Sequence, residues 1–546
     1  MIHNEWNTTQ TEPCESISKR ASTRNFCCGL SARSPPVLKI EIQSRHMGRG
    51  RVWFTPLSFA CGITLVGLAR PSAHSPFAMV QGGTAAAHAV EVGPEQDVQV
   101  QLDSSAPGAT IALRAGTYRL TAPLTFKNGQ RLIGGDRVVL SGARPLTNFR
   151  REGRVWVVDR QSQEGAVIER AADVCTSDAP RCNRPEDLFL DDRPLRHVAT
   201  PADLRTGAWY FDYAADRIFL GDDPTGHTVE TSVTPFAVGG EAEGVTIRGI
   251  VVEKFATPTH EAAINGRLTG LLIENVEARL NHFAGIRTMD RTQARNNRVH
   301  DNGALGFIGA GENIRIEHNE IDHNNTVGYN PYWAAGGTKW VYTTHLVVRD
   351  NDVHDNHGPG LWTDINNTDV LFEANRVHDN DLSGIFHEVG YRAVIRNNVA
   401  NRNGRAKPFP GWVVGAGILV SSSSDVEVYG NSLTDNWQGI AGLEDARGNG
   451  ASGPWVLARL HVHDNVIRQT VPPEPGAGRT GVAQVNDGTS AFTSGGNRFA
   501  NNTYYLAGKS LGFFWMGRDI SQTEWQRYGH DTTGRVVRSA DGKTAR

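Results

Sequence analysis

Residues 351–390, NDVHDNHGPGLWTDINNTDVLFEANRVHDNDLSGIFHEVG, state one pattern twice. Asn351 and Asn375 open the matching segments NDVHDN and NRVHDN. A second asparagine follows five residues later (Asn356, Asn380), and a glycine with an apolar residue follows nine after the first (Gly360-Leu361, Gly384-Ile385). The register extends in both directions. Asn297, Asn319, Asn398 and Asn431 repeat the first asparagine, with Asn275 before them and Asn465 after; Asn302, Asn324, Asn403 and Asn436 repeat the second. Uninterrupted spacings between first asparagines are 22 to 24 residues, and longer gaps are that spacing plus about ten.

A unit of this length holds three short alternating strands with asparagine and glycine at the corners. One such unit cannot bury its apolar face alone, so successive units stack, which predicts an all-β, right-handed parallel β-helix. Buried asparagines in such a stack hydrogen-bond from coil to coil, so the asparagine columns read as structural. His300, His354 and His378 share the slot three after the anchor. Asp322, Asn401 and Thr434 hold it in other coils, which favours a solvated turn over a metal-binding stack.

Working outward, residues 95–145 carry the same short strands and start the coil. Residues 146–237 break the period and read as an inserted β domain of antiparallel hairpins; the coils resume over 238–500. Residues 501–546, including NTYYL and SQTEWQRYGHD, read as a cap over an otherwise open sheet edge. At the other end, residues 1–46 resemble nothing that follows and read as lying outside the mature protein, with translation starting at Met47. MGRGR and the 18-residue apolar run VWFTPLSFACGITLVGLA make residues 47–73 an export signal, with an uncleaved membrane anchor as the alternative. The chain is thus expected to be secreted or periplasmic, touching a membrane only through that signal. Of six cysteines, Cys175 and Cys182 would remain, in DVCTSDAPRCN, and are expected to form a loop-closing disulfide. A net charge of -3 and a pI near 6.7 offer no basic face for nucleic acid.

Asp364 and Glu388 both stand 13 residues after their anchor and so occupy one slot in adjacent coils. Neighbouring strands lie about 4.7–4.9 Å apart. Two carboxyl groups stacked at that spacing suit a retaining glycosidase, which needs about 5–5.5 Å between them; an inverting enzyme needs more. Strand alternation turns Leu361, Ile365, Ile385 and Val389 inward, and Trp362, Asp364, Phe386 and Glu388 outward. Thr363 and His387 would then point inward as a pair behind the carboxylates, or the strand bends there. Asp355 and Asp379 are a second stacked pair, beside the turn asparagines. What distinguishes Asp364 and Glu388 is that three long insertions flank their strand. Those loops are expected to bring Tyr332, Trp333, Lys339, Trp340 and Trp412 to the rim, where with Trp362 and His387 they would contact substrate.

The regular coil resembles the right-handed parallel β-helix superfamily of carbohydrate-active proteins. GLWTDIN followed one coil later by GIFHEVG is similar to the active strands of the β-helix β-xylosidases, which also carry an inserted β domain. That resemblance implies Asp364 as nucleophile and Glu388 as acid/base; no metal and no cofactor are expected, and His387 stands where an apolar residue is expected. The charge on Asp364 would raise the pKa of Glu388, and Lys339 would hold Asp364 anionic or bind a substrate hydroxyl. Two other readings stand beside this one. A polysaccharide lyase or uronate epimerase would use Lys339 or an arginine as base and Ca²⁺ held by Asp355, Asp364 and Asp379. A non-catalytic carbohydrate-binding protein would use the tryptophans alone.

Overall fold

The computed structural model describes residues 89–406, 411, 413–470, 474–508 and 512–539. The expected export segment, residues 1–46 and Trp412 lie outside the described residues. Among those described, no helix is long and apolar enough to cross a membrane.

Successive coils contribute short strands to three sheets of 13, 13 and 11 strands, parallel throughout except where Arg518–Ile520 ends the third antiparallel to Phe513–Trp515. Apolar side chains repeat at the inward position of every strand and stack in register. Val348, Phe372, Ile395, Val428 and Val462 form one column. Val353, Val377, Ala400, Leu433 and Ile467 form the second, and Leu361, Ile385, Ile418 and Ile440 the third. All are buried in a single continuous core.

The corners explain the HDN pattern. Between the first and second sheets, Asn296, His318, Asp350, Ala374, Asn397, Asp464 and Asn501 adopt φ of 52° to 57°. At the next corner Asp301, His323, Asp355, Asp379, Arg402 and Asp435 do the same, at 51° to 57°. Asparagine and aspartate tolerate this left-handed conformation better than other side-chain-bearing residues. The residue after each is the buried asparagine. From Asn297 the side-chain amide donates to the next Oδ1 through Asn319, Asn351, Asn375, Asn398, Asn431, Asn465 and Asn502, every step 2.9–3.0 Å. A second ladder runs from Asn281 through Asn302, Asn324, Asn356, Asn380 and Asn403 to Asn436, also at 2.9–3.0 Å.

Asn275 differs from expectation: it is exposed with φ 53°, which makes it the corner residue. Val276 fills the ladder slot, and its backbone N–H donates to Asn297 Oδ1 at 2.9 Å. Asp355 and Asp379 are likewise corner residues. They are engaged by His354 and Arg405 and by His378 and Arg402, respectively, and this structural role accounts for their stacking.

The segment between Ala143 and Ser232 forms a four-stranded antiparallel sheet and a five-stranded sheet that is antiparallel except where Arg196–His197 runs parallel to Ala208–Asp212. They close on their own cluster around Trp209, Phe211, Leu188 and Ile218. Lys254 of the coil, almost wholly buried, ties this unit down by pairing with Asp192 and Glu230. The coil starts slightly earlier than residue 95, with Val90–Val92 parallel to Thr110–Leu113. It also runs further at the other end. Thr503–Ala507, within the expected cap, pairs in parallel with Val466–Gln469 and Arg535–Ser539, so NTYYL is a coil strand. The cover over the end is the helix Gln522–Arg527, opened by a Ser521/Glu524 capping box. Its Trp525 packs on Phe499, Phe513 and Trp515.

Candidate active site

The strand Leu361–Thr363 pairs with Ile385–Glu388 as Leu361↔Ile385, Trp362↔Phe386 and Thr363↔His387, which makes Asp364 and Glu388 the next rung. Adjacent rungs stand about 4.7–4.9 Å apart. Both carboxylates are nearly closed off from solvent, at 3% and 4% exposure. The residue after each, Ile365 at φ 57° and Val389 at φ 39°, is β-branched in the left-handed region. That conformation costs on the order of 1–3 kcal/mol per residue and is held only where the surroundings over-determine it. Here Asn366 N–H donates to Val389 O at 2.9 Å and Tyr342 N–H to Ile365 O at 2.8 Å, locking the bend coil to coil. Because of this bend Ile365 is half-buried, rather than packed inward as expected.

The two carboxylates have unlike surroundings. Asp364 Oδ2 pairs with Lys339 Nζ at 2.9 Å, while its buried Oδ1 accepts no hydrogen bond among the described residues. Glu388 Oε1 accepts from Trp362 Nε1 at 3.2 Å, and its Oε2 from Arg447 Nη1 at 3.0 Å. Burial, and then the Asp364 charge, push Glu388 up to about 7, against the opposing pull of Arg447 and Lys339. A carboxyl group that titrates there is equipped both to give and to take a proton near neutral pH.

Several expected substrate contacts are corrected. Trp340 is fully buried and packs into the core beside Phe307, because it faces inward one coil before Thr363. His387 is fully buried for the same reason of alternation. Its Nε2–H donates to Tyr391 O at 2.9 Å and its Nδ1 accepts from Thr363 Oγ1 at 2.8 Å, and burial lowers it to about 4. It is a neutral strut behind the site. Trp362 is no open sugar platform. Phe386 stacks at 5.5 Å from its ring and Lys339 Nζ lies 3.7 Å from its ring centroid, and only 1% of the residue is exposed. Lys339, Trp362 and Phe386 thus hold one column that braces the carboxylates. Tyr332 and Trp333 remain half-exposed. Tyr332 lines the pocket with Pro359, Trp362, Phe386, Glu388 and Leu419, and Trp333 packs on Tyr329 and His260 while its carbonyl accepts from Lys339 Nζ. The cation set Asp355, Asp364 and Asp379 does not come together, since Asp355 and Asp379 are corner residues after the second sheet and Asp364 follows a strand of the third.

Two loops complete the site. Cys175 and Cys182 are disulfide-bonded, with Cα atoms 5.6 Å apart. Their loop grips the segment leading to Tyr332 and Trp333: Thr176 N–H donates to Gly328 O at 3.0 Å and Asn330 N–H to Val174 O at 2.8 Å. Arg447 was not singled out by sequence reasoning, although its insertion was. Its loop docks through Ala451 N–H to Asn366 Oδ1 at 2.9 Å and Tyr391 O–H to Gly453 O at 2.9 Å.

Residues 262–433 match the family model described as "Right handed beta helix region". The fold is that of a right-handed parallel β-helix. A solved structure titled "The complex structure of XylC with xylose" is similar, at 14% identity and TM-score 0.58, over 81% of this chain and 82% of that one. The Azotobacter vinelandii mannuronan C-5 epimerase AlgE6 A-module is 14% identical at TM-score 0.43, over 82% of this chain and 94% of that one. No curated protein sequence matches the chain.

Proposed function

We propose that the chain is an exported, retaining glycoside hydrolase acting on a plant or microbial oligo- or polysaccharide, with Asp364 as nucleophile and Glu388 as acid/base. The observation that carries this reading is two buried carboxylates in the same slot of adjacent coils, held by different partners. Asp364 is paired with an ammonium, and Glu388 is buried and pushed up to about 7. In the first step Asp364 Oδ1 attacks the anomeric carbon, the glycosidic C–O bond breaks, and Glu388 passes its proton to the departing oxygen. In the second, the Glu388 carboxylate takes a proton from water, the hydroxide oxygen bonds to the anomeric carbon, and Asp364 leaves as carboxylate. The rung spacing of about 4.7–4.9 Å suits direct attack rather than an intervening water. The solved β-helix structure titled as a complex with xylose lends this reading a sugar-holding relative in fold. Export is proposed from the reading of residues 47–73 as an export signal.

The test is a screen of aryl glycosides with wild type and Glu388→Gln, following the anomer first released by NMR. Retention of configuration is expected, with Glu388→Gln losing about 10²–10⁴ in rate on poor leaving groups. Inversion, or undiminished turnover in Glu388→Gln, rejects the assignment.

A further inference from the structure

We propose that Glu427, His461 and His463, on the outer face of the first sheet and away from the carboxylate pair, bind one divalent transition-metal ion of the Zn²⁺, Co²⁺ or Ni²⁺ class. The strand His461–His463 alternates, so both imidazoles leave the same face while Val462 between them is buried in the core. Glu427 stands directly opposite His461 on the adjacent coil. Its Oε1 lies 3.1 Å from His463 Nε2 and 3.9 Å from His461 Nδ1, and the two imidazole rings stack with centroids 4.1 Å apart. One ligand atom from each of the three residues falls within 4.8 Å of the others. A tetrahedral ion with bonds of about 2.0–2.1 Å holds its ligand atoms about 3.3–3.4 Å apart, so the three stand close to chelating separations. Two imidazoles and a carboxylate select this metal class over Ca²⁺ or Mg²⁺.

The surroundings support the set. His463 Nδ1 bonds Asp464 Oδ2 at 2.7 Å, which stiffens the ring, and its Nε2 faces Glu427 Oε1 at 3.1 Å. Tyr429 stacks on His463 from the neighbouring coil. The side chains of Glu427, His461 and His463 are 47%, 25% and 19% exposed, so an ion can enter from solvent. Arg498 Nη2 lies 3.2 Å from His461 Nδ1 and is the competitor that an ion would displace. The cluster Glu320, Asp322 and His354 has similar spacing but fails on charge, because Arg298 already pairs with both of its carboxylates. A bound ion would cross-link two adjacent coils of the first sheet, adding stability wherever it binds the folded chain alone.

The experiment is calorimetric titration of the EDTA-stripped full chain with ZnCl₂ and with NiCl₂, alongside thermal melts. One saturable site and a raised Tm are expected. His463→Gln should abolish both, Glu427→Gln should weaken binding at least tenfold, and Arg498→Ala should tighten it several-fold by removing the competitor. His354→Ala should leave binding unchanged. Absence of saturable binding, binding that survives both His463→Gln and Glu427→Gln, weaker binding in Arg498→Ala, or loss in His354→Ala overturns the proposal. None of these readouts depends on glycoside cleavage.

Discussion

Replacing Arg447 with glutamine tests the electrostatics of the site at its most sensitive point. Arg447 donates to Glu388 Oε2 at 3.0 Å and is one of two cations that hold Glu388 below the value that burial and Asp364 would impose. A guanidinium and a carboxylate with charge centres some 4 Å apart attract by about 4 kcal/mol at an effective dielectric of 20. The net worth of a hydrogen bond to a charged group is about 1.5–3 kcal/mol. At 1.36 kcal/mol per pH unit, losing it raises the point at which Glu388 gives up its proton by about one to two pH units. The acid must be protonated to act, so kcat/KM falls as pH rises through that point. The basic limb should therefore sit near pH 7 in the wild type and near pH 8–9 in Arg447→Gln, measured with an aryl glycoside of poor leaving group. Arg447→Lys should leave the limb close to its original place. A limb unmoved by Arg447→Gln, or moved downward, would refute this account of Glu388.

His387 is held down at about 4 by burial, against 6.5 in the unfolded chain. The unfolded state takes up the proton first, so stability present above pH 6.5 should decline by about 3 kcal/mol as pH falls to 4. Urea unfolding of His387→Gln should show a shallower acid slope, the remainder reporting groups such as His530, also lowered to about 4. Asn375→Ala strips the acceptor from both the backbone and side-chain N–H of Asn351. It should cost about 1–3 kcal/mol for each donor left unpaired, read from the same denaturation curves. A Cys175→Ser/Cys182→Ser variant loosens the grip on the segment bearing Tyr332 and Trp333, so kcat/KM should fall several-fold while circular dichroism of the coil is unchanged.

Much of the coil was legible because one backbone rule recurs twice in each coil from Asn297 to Asn436: a left-handed residue, then a buried asparagine. The same regularity placed Asp364 and Glu388 together, since both count from a ladder asparagine. Asn275 misled because it is the left-handed residue and the apolar Val276 takes the ladder slot; the two differ by a single position. Alternation already turned His387 inward, and the structure gives it partners there. Trp340 obeys the same rule, but its position after a long insertion concealed its register. Trp362 has the outward direction expected of a sugar platform, yet whether an aromatic face is open depends on its neighbours in space. Lys339 covers it, and that contact comes from the preceding coil. Arg447 carries no periodic signal, since it reaches Glu388 from a loop whose path is set by docking on Asn366 and Tyr391.

Incubation with a 2-deoxy-2-fluoro aryl glycoside, followed by peptide mass mapping, bears most directly on the claim that Asp364 forms a covalent bond to sugar. A single fluoroglycosyl group on the peptide containing Asp364, absent in Asp364→Asn, is the predicted result. Attachment at another residue, or cleavage of a reactive glycoside with inversion and no trapped adduct, would contradict it.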